Sequence, residues 1–160
     1  VAYAEVFPDE NEFTHLVLPQ DTNALGTIFG GRVMEWIDIA GAVVASRHCR
    51  TVAVTASMDD LHFISPIKLA DIVILKASVN YTHKTSMEIG VRVESENPLT
   101  GERRHTASAY LTFVAIDQKR HPVEVPPVIP KTPSEKRRYQ EAEERRRYRL
   151  EQKKKKMRTI

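Results

Sequence analysis

Alternating apolar and polar residues C-terminal to a single helical pattern restrict the possible folds of this chain more than any other feature. Period-2 alternation of this length predicts antiparallel strands with one buried face. In the first stretch the predicted buried face carries Val52, Val54, Ala56 and Met58. A turn at residues 97–101 connects the last two strands, and one more strand precedes Pro19. The predicted strands cover residues 13–18, 51–58, 72–82, 87–94 and 106–116.

The helical pattern runs from Gly30 to His48. Its apolar stripe comprises Val33, Ile37, Ala40 and Val44. One helix and these strands predict an α+β domain in which a curved, antiparallel five-stranded sheet wraps around one long central helix. A single helix covers only part of such a sheet, so we expect the domain to complete its burial by dimerising.

The loop before this helix and the helix itself contain the candidate chemistry. Gly30 and Gly31 open the helix, where unsatisfied N–H groups are suited to polarise a carbonyl oxygen. Asp38 is a carboxylate whose helical neighbours are small or apolar, namely Met34, Gly41, Ala42 and Ala45. Desolvation by these neighbours is expected to raise the pKa of Asp38 toward the range of a general base. The alternative is an ordinary packing aspartate that is satisfied by a local partner.

Several motifs in this order resemble the acyl-coenzyme A thioesterases with a hotdog fold. The resemblance starts with Asn23-Ala-Leu-Gly-Thr-Ile-Phe-Gly-Gly31, followed by Met34, Trp36, Asp38 and Ala40. It continues through residues 63–66, 70–71, 85–93 and 96–98, and so covers about residues 13 to 116. Ala70 stands where glycine is usual, in a turn away from the proposed chemistry.

The resemblance implies hydrolysis of acyl-CoA to a carboxylic acid and coenzyme A. In the family an aspartate at the position of Asp38 is catalytic, as nucleophile or general base, and an asparagine matching Asn23 assists from the facing subunit. Thr55 is expected to face the same site. The resemblance also implies dimers with continuous ten-stranded sheets, commonly assembled into hexamers. The group expected to hold the phosphates and pantetheine of coenzyme A comprises His83, Lys84, Thr85, Ser86 and Arg92.

Two other functions remain open from the sequence. A non-catalytic acyl-CoA sensor would bind the same ligand, although no helix-turn-helix pattern accompanies it and no DNA partner is expected. A hydratase or dehydratase on this fold is disfavoured because no histidine follows Asp38 until His48. The six histidines show no metal-ligand spacing, and thioester hydrolysis needs no cofactor besides the substrate's own coenzyme A.

The C-terminal part differs in composition from the rest. Residues 131–160 hold 13 lysines and arginines against 5 acidic residues, whereas residues 1–130 hold 11 against 16. We predict a thioesterase domain over residues 1–120, a proline-rich linker over 121–133 and a charged helical tail over 134–160. The tail is expected to be solvated, to dock on the acidic domain or a neighbouring subunit, or to contact a polyanion or membrane surface. The single cysteine, Cys49, fits a cytoplasmic location.

Overall fold

The computed structural model describes residues 11–159, and the side chain of Asp60 lies outside the description. Residues 1–10 and 160, which belong to the predicted domain and tail, also lie outside it. Within residues 11–159 the structure contains two α-helices and five strands, with a short 3₁₀ turn at Pro19–Asp21. In chain order they are β1 (Asn11–Leu16), α1 (Gly30–Cys49), β2 (Val52–Phe63), β3 (Ile72–His83), β4 (Ser86–Glu96), β5 (Arg103–Ile116) and α2 (Pro133–Arg158).

The strands form one antiparallel sheet in the order β1-β3-β4-β5-β2, which confirms the predicted five-stranded sheet. The hairpin at residues 97–101 is held by Gly101 N, which donates to Asn97 O at 2.8 Å, and by Leu99 N, which donates to Asn97 Oδ1 at 2.9 Å. β1 and β2 are the two edges. An edge strand exposes unpaired backbone groups, so each edge offers a place for a further strand.

Helix α1 packs on the inner face of the sheet and contacts β2, β3, β4 and β5. Its predicted stripe is confirmed, because Val33, Ile37, Ala40 and Val44 are all buried. Gly41 allows the close approach of α1 to the sheet, since a Cβ there would lie 2.9 Å from the ring of Phe113. The inner side chains of the sheet are buried with the stripe, notably Val73, Leu75, Met87, Ile89, Val91, Leu111 and Phe113.

The predicted faces of the first strand after the helix are wrong. Val52 and Val54 are 62% and 43% exposed instead of buried. A bulge between Thr55 and Ser57 adds one residue, which reverses the alternation. N-terminal to the bulge, Thr55 pairs with the inward-facing Phe113; after it, Met58 takes the inner face opposite Leu111. The extra residue therefore turns Thr55 toward α1.

The outer face of the sheet is also covered, which the alternation did not predict. Asn80 and Glu88 are 4% and 3% exposed, although they alternate with the inner residues of β3 and β4. Helix α2 lies over them. Arg145 Nε and Nη2 each donate to the Glu88 carboxylate at 2.9 Å, and Arg149 lies 2.6 Å from Asp59. The predicted charged helix is therefore docked on the chain's own sheet rather than fully solvated.

The proline-rich segment between β5 and α2 contains no helix or strand within residues 121–132. Val125 and Val128 are each 5% exposed and join the core. Val128 N donates to Thr82 Oγ1 at 3.0 Å, and the His48 ring lies 2.6 Å from Pro126 O. These contacts attach the segment to the end of α1 and to β3. The division of the chain into three parts stays a prediction.

Candidate active site

Asp38 lies in the third turn of α1, at the border between the buried stripe and the surface. Ile37 beside it is fully buried, whereas Met34, one turn earlier, is 45% exposed. Asp38 itself is half-buried in the single chain. The expected enclosure by small apolar residues is therefore incomplete, because only Gly41 and Ala45 of that set are buried. The open side of Asp38 faces away from the protomer core.

Thr55 is the residue that the sheet brings to Asp38. Its hydroxyl donates a hydrogen bond to Asp38 Oδ1 at 2.6 Å. The bulge of β2 places Thr55 on the inner face, where the side chain meets the helix. The bond engages one carboxylate oxygen, and Oδ2 has no hydrogen-bond partner among the described residues. This pairing of helix and strand is the central geometry of the site.

The loop that carries Asn23 is rigidly held. Asn23 Oδ1 accepts from Leu25 N at 2.9 Å and from Thr27 N at 3.3 Å, while its Nδ2 donates to Thr27 Oγ1 at 3.0 Å. Within the described chain these bonds make Asn23 a turn residue, and they do not bring it to Asp38. The loop side chain is thus oriented by its own backbone.

Sequence reasoning missed Asp21, which fixes this loop. Asp21 is 6% exposed; its Oδ2 accepts from Leu18 N at 2.9 Å, and its Oδ1 pairs with Arg32 Nε at 3.1 Å. Its carbonyl oxygen also accepts from Phe29 N at 2.9 Å. The loop is thereby attached to the first turn of α1. The signal available in the sequence was an aspartate two residues after a proline, which is typical of a turn.

The first turn of α1 lies beside an apolar groove. No side chain caps this helix, so Gly30 and Gly31 present their N–H groups without competition from a cap. The groove has a volume of about 320 Å³, and Gly30, Phe63, Ile64 and Pro66 are among its lining residues. Phe63 and Ile64 are 47% and 66% exposed. The groove is suited to an extended, largely apolar ligand segment.

The turn between β3 and β4 brings together four of the five residues assigned to coenzyme A. Lys84 adopts a left-handed conformation with φ of 49°, and Ser86 Oγ donates to His83 O at 3.1 Å. The pKa of His83 lies below its usual value because of partial desolvation and the positive charges of Arg146 and Lys84. Lys84 belongs to the turn itself and Arg146 to α2, so both the turn and α2 contribute positive charge here.

Arg92 does not belong to this group. It pairs in register with Lys76 and Ser108 on the outer face of the sheet. Six residues of β4 separate Arg92 from Ser86, which is roughly 20 Å at the rise of an extended strand. Arg92 therefore lies apart from the turn within the protomer, and its part in coenzyme A binding stays a prediction.

The comparison with known proteins identifies the family. The sequence model of the Thioesterase superfamily matches residues 25–102. The uncharacterized acyl-CoA thioester hydrolase YkhA of Bacillus subtilis is 46% identical over 122 residues, which is 76% of this chain and 71% of YkhA. The chain belongs to the hotdog-fold acyl-CoA thioesterases.

Solved structures of acyl-CoA thioesterases share the fold of this thioesterase. An apo-hexameric acyl-CoA thioesterase superposes with a TM-score of 0.86 at 45% identity, over 89% of this chain and 92% of the other. The acyl-CoA hydrolase of Staphylococcus aureus, in complex with butyryl coenzyme A, coenzyme A and coenzyme A disulfide, has a TM-score of 0.86 at 36% identity, over 94% and 92%. Three single variants of this hydrolase have also been solved, in which alanine replaces an aspartate, an asparagine or a threonine.

The thioesterase spans only part of its mammalian relatives. It covers 24% to 36% of the length of the curated mouse, rat and human acyl-CoA thioesterases that it matches. Over residues 11–159, no group of three or more His, Cys, Asp or Glu side chains could hold a metal ion. Neither described helix is long and apolar enough to cross a membrane.

Proposed function

We propose that this thioesterase hydrolyses acyl-CoA to a free carboxylic acid and coenzyme A, with Asp38 as the catalytic carboxylate. The observation that carries the proposal is the 2.6 Å hydrogen bond from Thr55 to Asp38 at the open edge of α1. It holds a half-buried carboxylate at the edge of α1, while the apolar groove and the uncapped helix start lie at the N-terminal end of the same helix. Water, substrate and Asp38 suffice for the chemistry, so the proposed reaction uses no cofactor.

The variants of the Staphylococcus aureus hydrolase support this assignment. Its asparagine, aspartate and threonine follow one another at the same spacing as Asn23, Asp38 and Thr55. Both proteins thus have the same three residue types in the same order around the central helix. We assign the reacting carboxylate to Asp38. Thr55 orients this carboxylate, and Asn23 makes a polar contact with water or substrate.

Two schemes use this carboxylate. In one, Asp38 accepts a proton from water as the hydroxyl adds to the thioester carbonyl. In the other, an Asp38 oxygen attacks the carbonyl and forms an anhydride, which water then hydrolyses. In both, the C–S bond breaks, the coenzyme A thiolate leaves and takes up a proton, and both start from the ionised carboxylate. The amides of Gly30 and Gly31 stabilise the oxyanion.

The carboxylate and the amides that act on one thioester come from different protomers. Eight residues of α1 separate Gly30 from Asp38, about 12 Å at the rise of an α-helix. A carbonyl within hydrogen-bond distance of the helix start cannot also be within reach of Asp38 on that same helix. We therefore propose that the loop and helix start of a second copy complete the site around Asp38, with Asn23 contributed by that copy.

The surface of the protomer supports such an assembly. β2 is an edge strand, and the apolar side chains near the site are exposed, among them Leu25 at 87%, Phe29 at 52% and Ile39 at 53%. Monomeric proteins rarely expose large contiguous apolar patches. We propose a dimer that joins two sheets, and a trimer of such dimers as in the hexameric relative. Light scattering that gives a monomer mass at micromolar concentration would exclude this arrangement.

The turn His83–Ser86 is the proposed contact for the phosphates and pantetheine of coenzyme A. Lys84 and Arg146 supply positive charge there. Partial burial and these two charges lower the pKa of His83.

The cellular location is proposed from the relatives. The names of the rat and human relatives, both cytosolic hydrolases, support a cytoplasmic location.

A panel of acyl-CoA substrates of increasing chain length tests the proposed activity. Release of free thiol, followed with a chromogenic disulfide, is expected for at least one chain length. An acyl-CoA sensor would bind the same compounds in calorimetry without releasing thiol. A hydratase would instead change the absorbance of an enoyl-CoA and leave its thioester intact.

A further inference from the structure

A cavity lies on the outer face of the sheet, between the strands and the first turns of α2. Its volume is about 230 Å³. Two rows of paired residues form its floor: Lys76 with Arg92 and Ser108, and Ser78 with Gly90 and Tyr110. Arg137 and Arg138 of α2 close it from above. The active-site roles assigned above use neither this cavity nor α2's first turns.

Positive charge dominates this cavity. Four cationic side chains line it, namely Lys76, Arg92, Arg137 and Arg138. Two acidic groups oppose them: Glu94, 3.0 Å from Lys76 and 3.9 Å from Arg92, and Glu141, 4.0 Å from Arg137. The four cations thus exceed the two acidic groups by two positive charges. Both the sheet and α2 contribute cations to the cavity. Guanidinium groups that converge in this way are suited to bind phosphate oxygens.

Asn80 is a buried polar group at the same cavity. It is 4% exposed, and its Nδ2 donates to Glu88 at 3.1 Å. Its Oδ1, in contrast, has no hydrogen-bond partner among the described residues. Leaving a buried acceptor unpaired is unfavourable, so a donor is expected to reach it. Gly90 makes the space, because a Cβ there would lie 2.5 Å from Asn80 Nδ2.

We propose that this cavity binds a small phosphorylated molecule that also carries a hydroxyl group. The phosphate contacts the guanidinium groups of Arg92 and Arg138. Because Asn80 Oδ1 is buried, binding includes a small shift of the Asn80 side chain that lets Oδ1 accept from the hydroxyl. Because the ligand touches both α2 and the sheet, its binding stabilises the docked position of α2. A free phosphorylated metabolite and the phosphorylated ribose of coenzyme A share this chemistry.

The proposed site is separate from the Asp38 site of the same protomer. Thr55 pairs with inward-facing Phe113, whereas Arg92 pairs with Ser108 on the outer face. The sheet itself therefore lies between the two sites. Coenzyme A bound at this cavity would have to be the substrate of another protomer in the assembly.

Calorimetry on the full chain tests the proposal with three probes: pyrophosphate, ribose 5-phosphate and adenosine 3′,5′-bisphosphate. We expect saturable binding of at least one probe, at one site per protomer, and a rise in the melting temperature. Arg138→Gln and Arg92→Gln, from the two sides of the cavity, should each weaken binding roughly 10- to 100-fold. The matched control is Arg147→Gln, an exposed arginine of the same helix that does not line the cavity.

The outcomes separate the two sources and can reject the site. Displacement of adenosine 3′,5′-bisphosphate by coenzyme A, together with weaker binding of this probe in Arg92→Gln and Arg138→Gln, would support the site and identify substrate phosphates as the ligand. Binding of ribose 5-phosphate or pyrophosphate that saturating coenzyme A leaves unchanged would support it with a separate metabolite. Absence of binding by all three probes at millimolar concentration would overturn the proposal. Equal loss in Arg147→Gln would overturn it as well, whether or not the protein hydrolyses acyl-CoA.

Discussion

The hydroxyl of Thr55 donates to Asp38 Oδ1 at 2.6 Å, across the contact between β2 and α1. The contact depends on one extra residue in β2, because without the bulge Thr55 would point to the outer face. A backbone irregularity thus determines the orientation of the proposed catalytic carboxylate. Bulges next to active sites commonly re-aim a side chain in this way.

Replacement of Thr55 by valine, which has nearly the same shape, tests this orientation. The variant removes the donor and should lower kcat by about 10- to 100-fold, in keeping with the strength of a hydrogen bond to a charged group. Thr55→Ser keeps the hydroxyl and should retain most of the activity. Steady-state kinetics of the two variants decide the point, and equal rates for valine and wild type would remove Thr55 from the site.

Asn23→Asp separates the turn function of Asn23 from a catalytic one. An aspartate keeps the Oδ1 acceptor that receives Leu25 N and Thr27 N, but it lacks the amide N–H₂. The Thr27 hydroxyl, which accepts from Asn23 Nδ2, can donate to the carboxylate instead and so keep the turn. If the amide contacts water or substrate, as proposed, Asn23→Asp should lose activity at an unchanged melting temperature. Asn23→Ala should lose activity and also melt lower. An Asn23→Asp variant with wild-type turnover would show that Asn23 only holds the turn.

The sequence was sufficient for the sheet, the helix and the family because local periodicity and motif order determine them. The stripe from Val33 to Val44 and the inner residues of β3, β4 and β5 are buried as predicted. The contact between Asp38 and Thr55 did not follow from the alternation, which placed Thr55 on the face opposite Val52 and Val54; the bulge of β2 produces it.

Features that depend on register and on long-range docking could not be predicted in this way. The bulge that reverses Val54 and Thr55 has no local signal, because the alternation remains plausible in either phase. The alternation of β4 indicates that Arg92 lies on the outer face, but not that it pairs with Lys76 and Ser108. The docking of α2 on the sheet could not be predicted either, because the alternation in β4 does not indicate that the outward-facing Glu88 is buried.

Removal of one partner from the buried ion pair of Glu88 with Arg145 should destabilise the fold strongly. The Glu88 side chain is 2% exposed, and Arg145 also lies over the Tyr110 ring at 3.6 Å. Arg145→Met leaves a buried carboxylate without its partner, at a cost of about 3–5 kcal/mol. Chemical denaturation of the assembled protein should show this loss as a lower midpoint.

A second substitution distinguishes loss of the pair from loss of packing. Arg145→Met combined with Glu88→Leu removes both charges and should recover much of the stability. Arg147→Met, at an exposed position of the same helix, should have little effect. If the double variant were no more stable than Arg145→Met alone, the unpaired Glu88 carboxylate would not be the cause of the loss.

His48 makes the fold sensitive to acid. It is 5% exposed near the end of α1, and burial lowers its pKa more than the contact with Pro126 raises it. In the folded state the imidazole therefore resists protonation, and the unfolded state binds more protons below about pH 6.5. The contribution of neutral His48 to stability is present above that pH and is lost as the pH falls. The melting temperature should therefore decrease as the pH is lowered from 8 to 5.

His48→Gln keeps a side-chain N–H for Pro126 and removes the titration. This variant should show a weaker decline on the acidic side than wild type. His62→Gln removes an exposed imidazole and serves as the matched control. An unchanged acid profile in His48→Gln would assign the sensitivity to another group.

Asp38→Asn tests the central claim most directly. The amide oxygen can still accept from Thr55, so the fold and the assembly should be preserved, with a melting temperature at or above that of wild type. Without the carboxylate, neither nucleophilic attack nor proton abstraction can occur. With an acyl-CoA that wild type hydrolyses, the rate of thiol release at saturating substrate is predicted to fall by about 100-fold or more. Turnover near that of wild type in the folded oligomer would contradict the account.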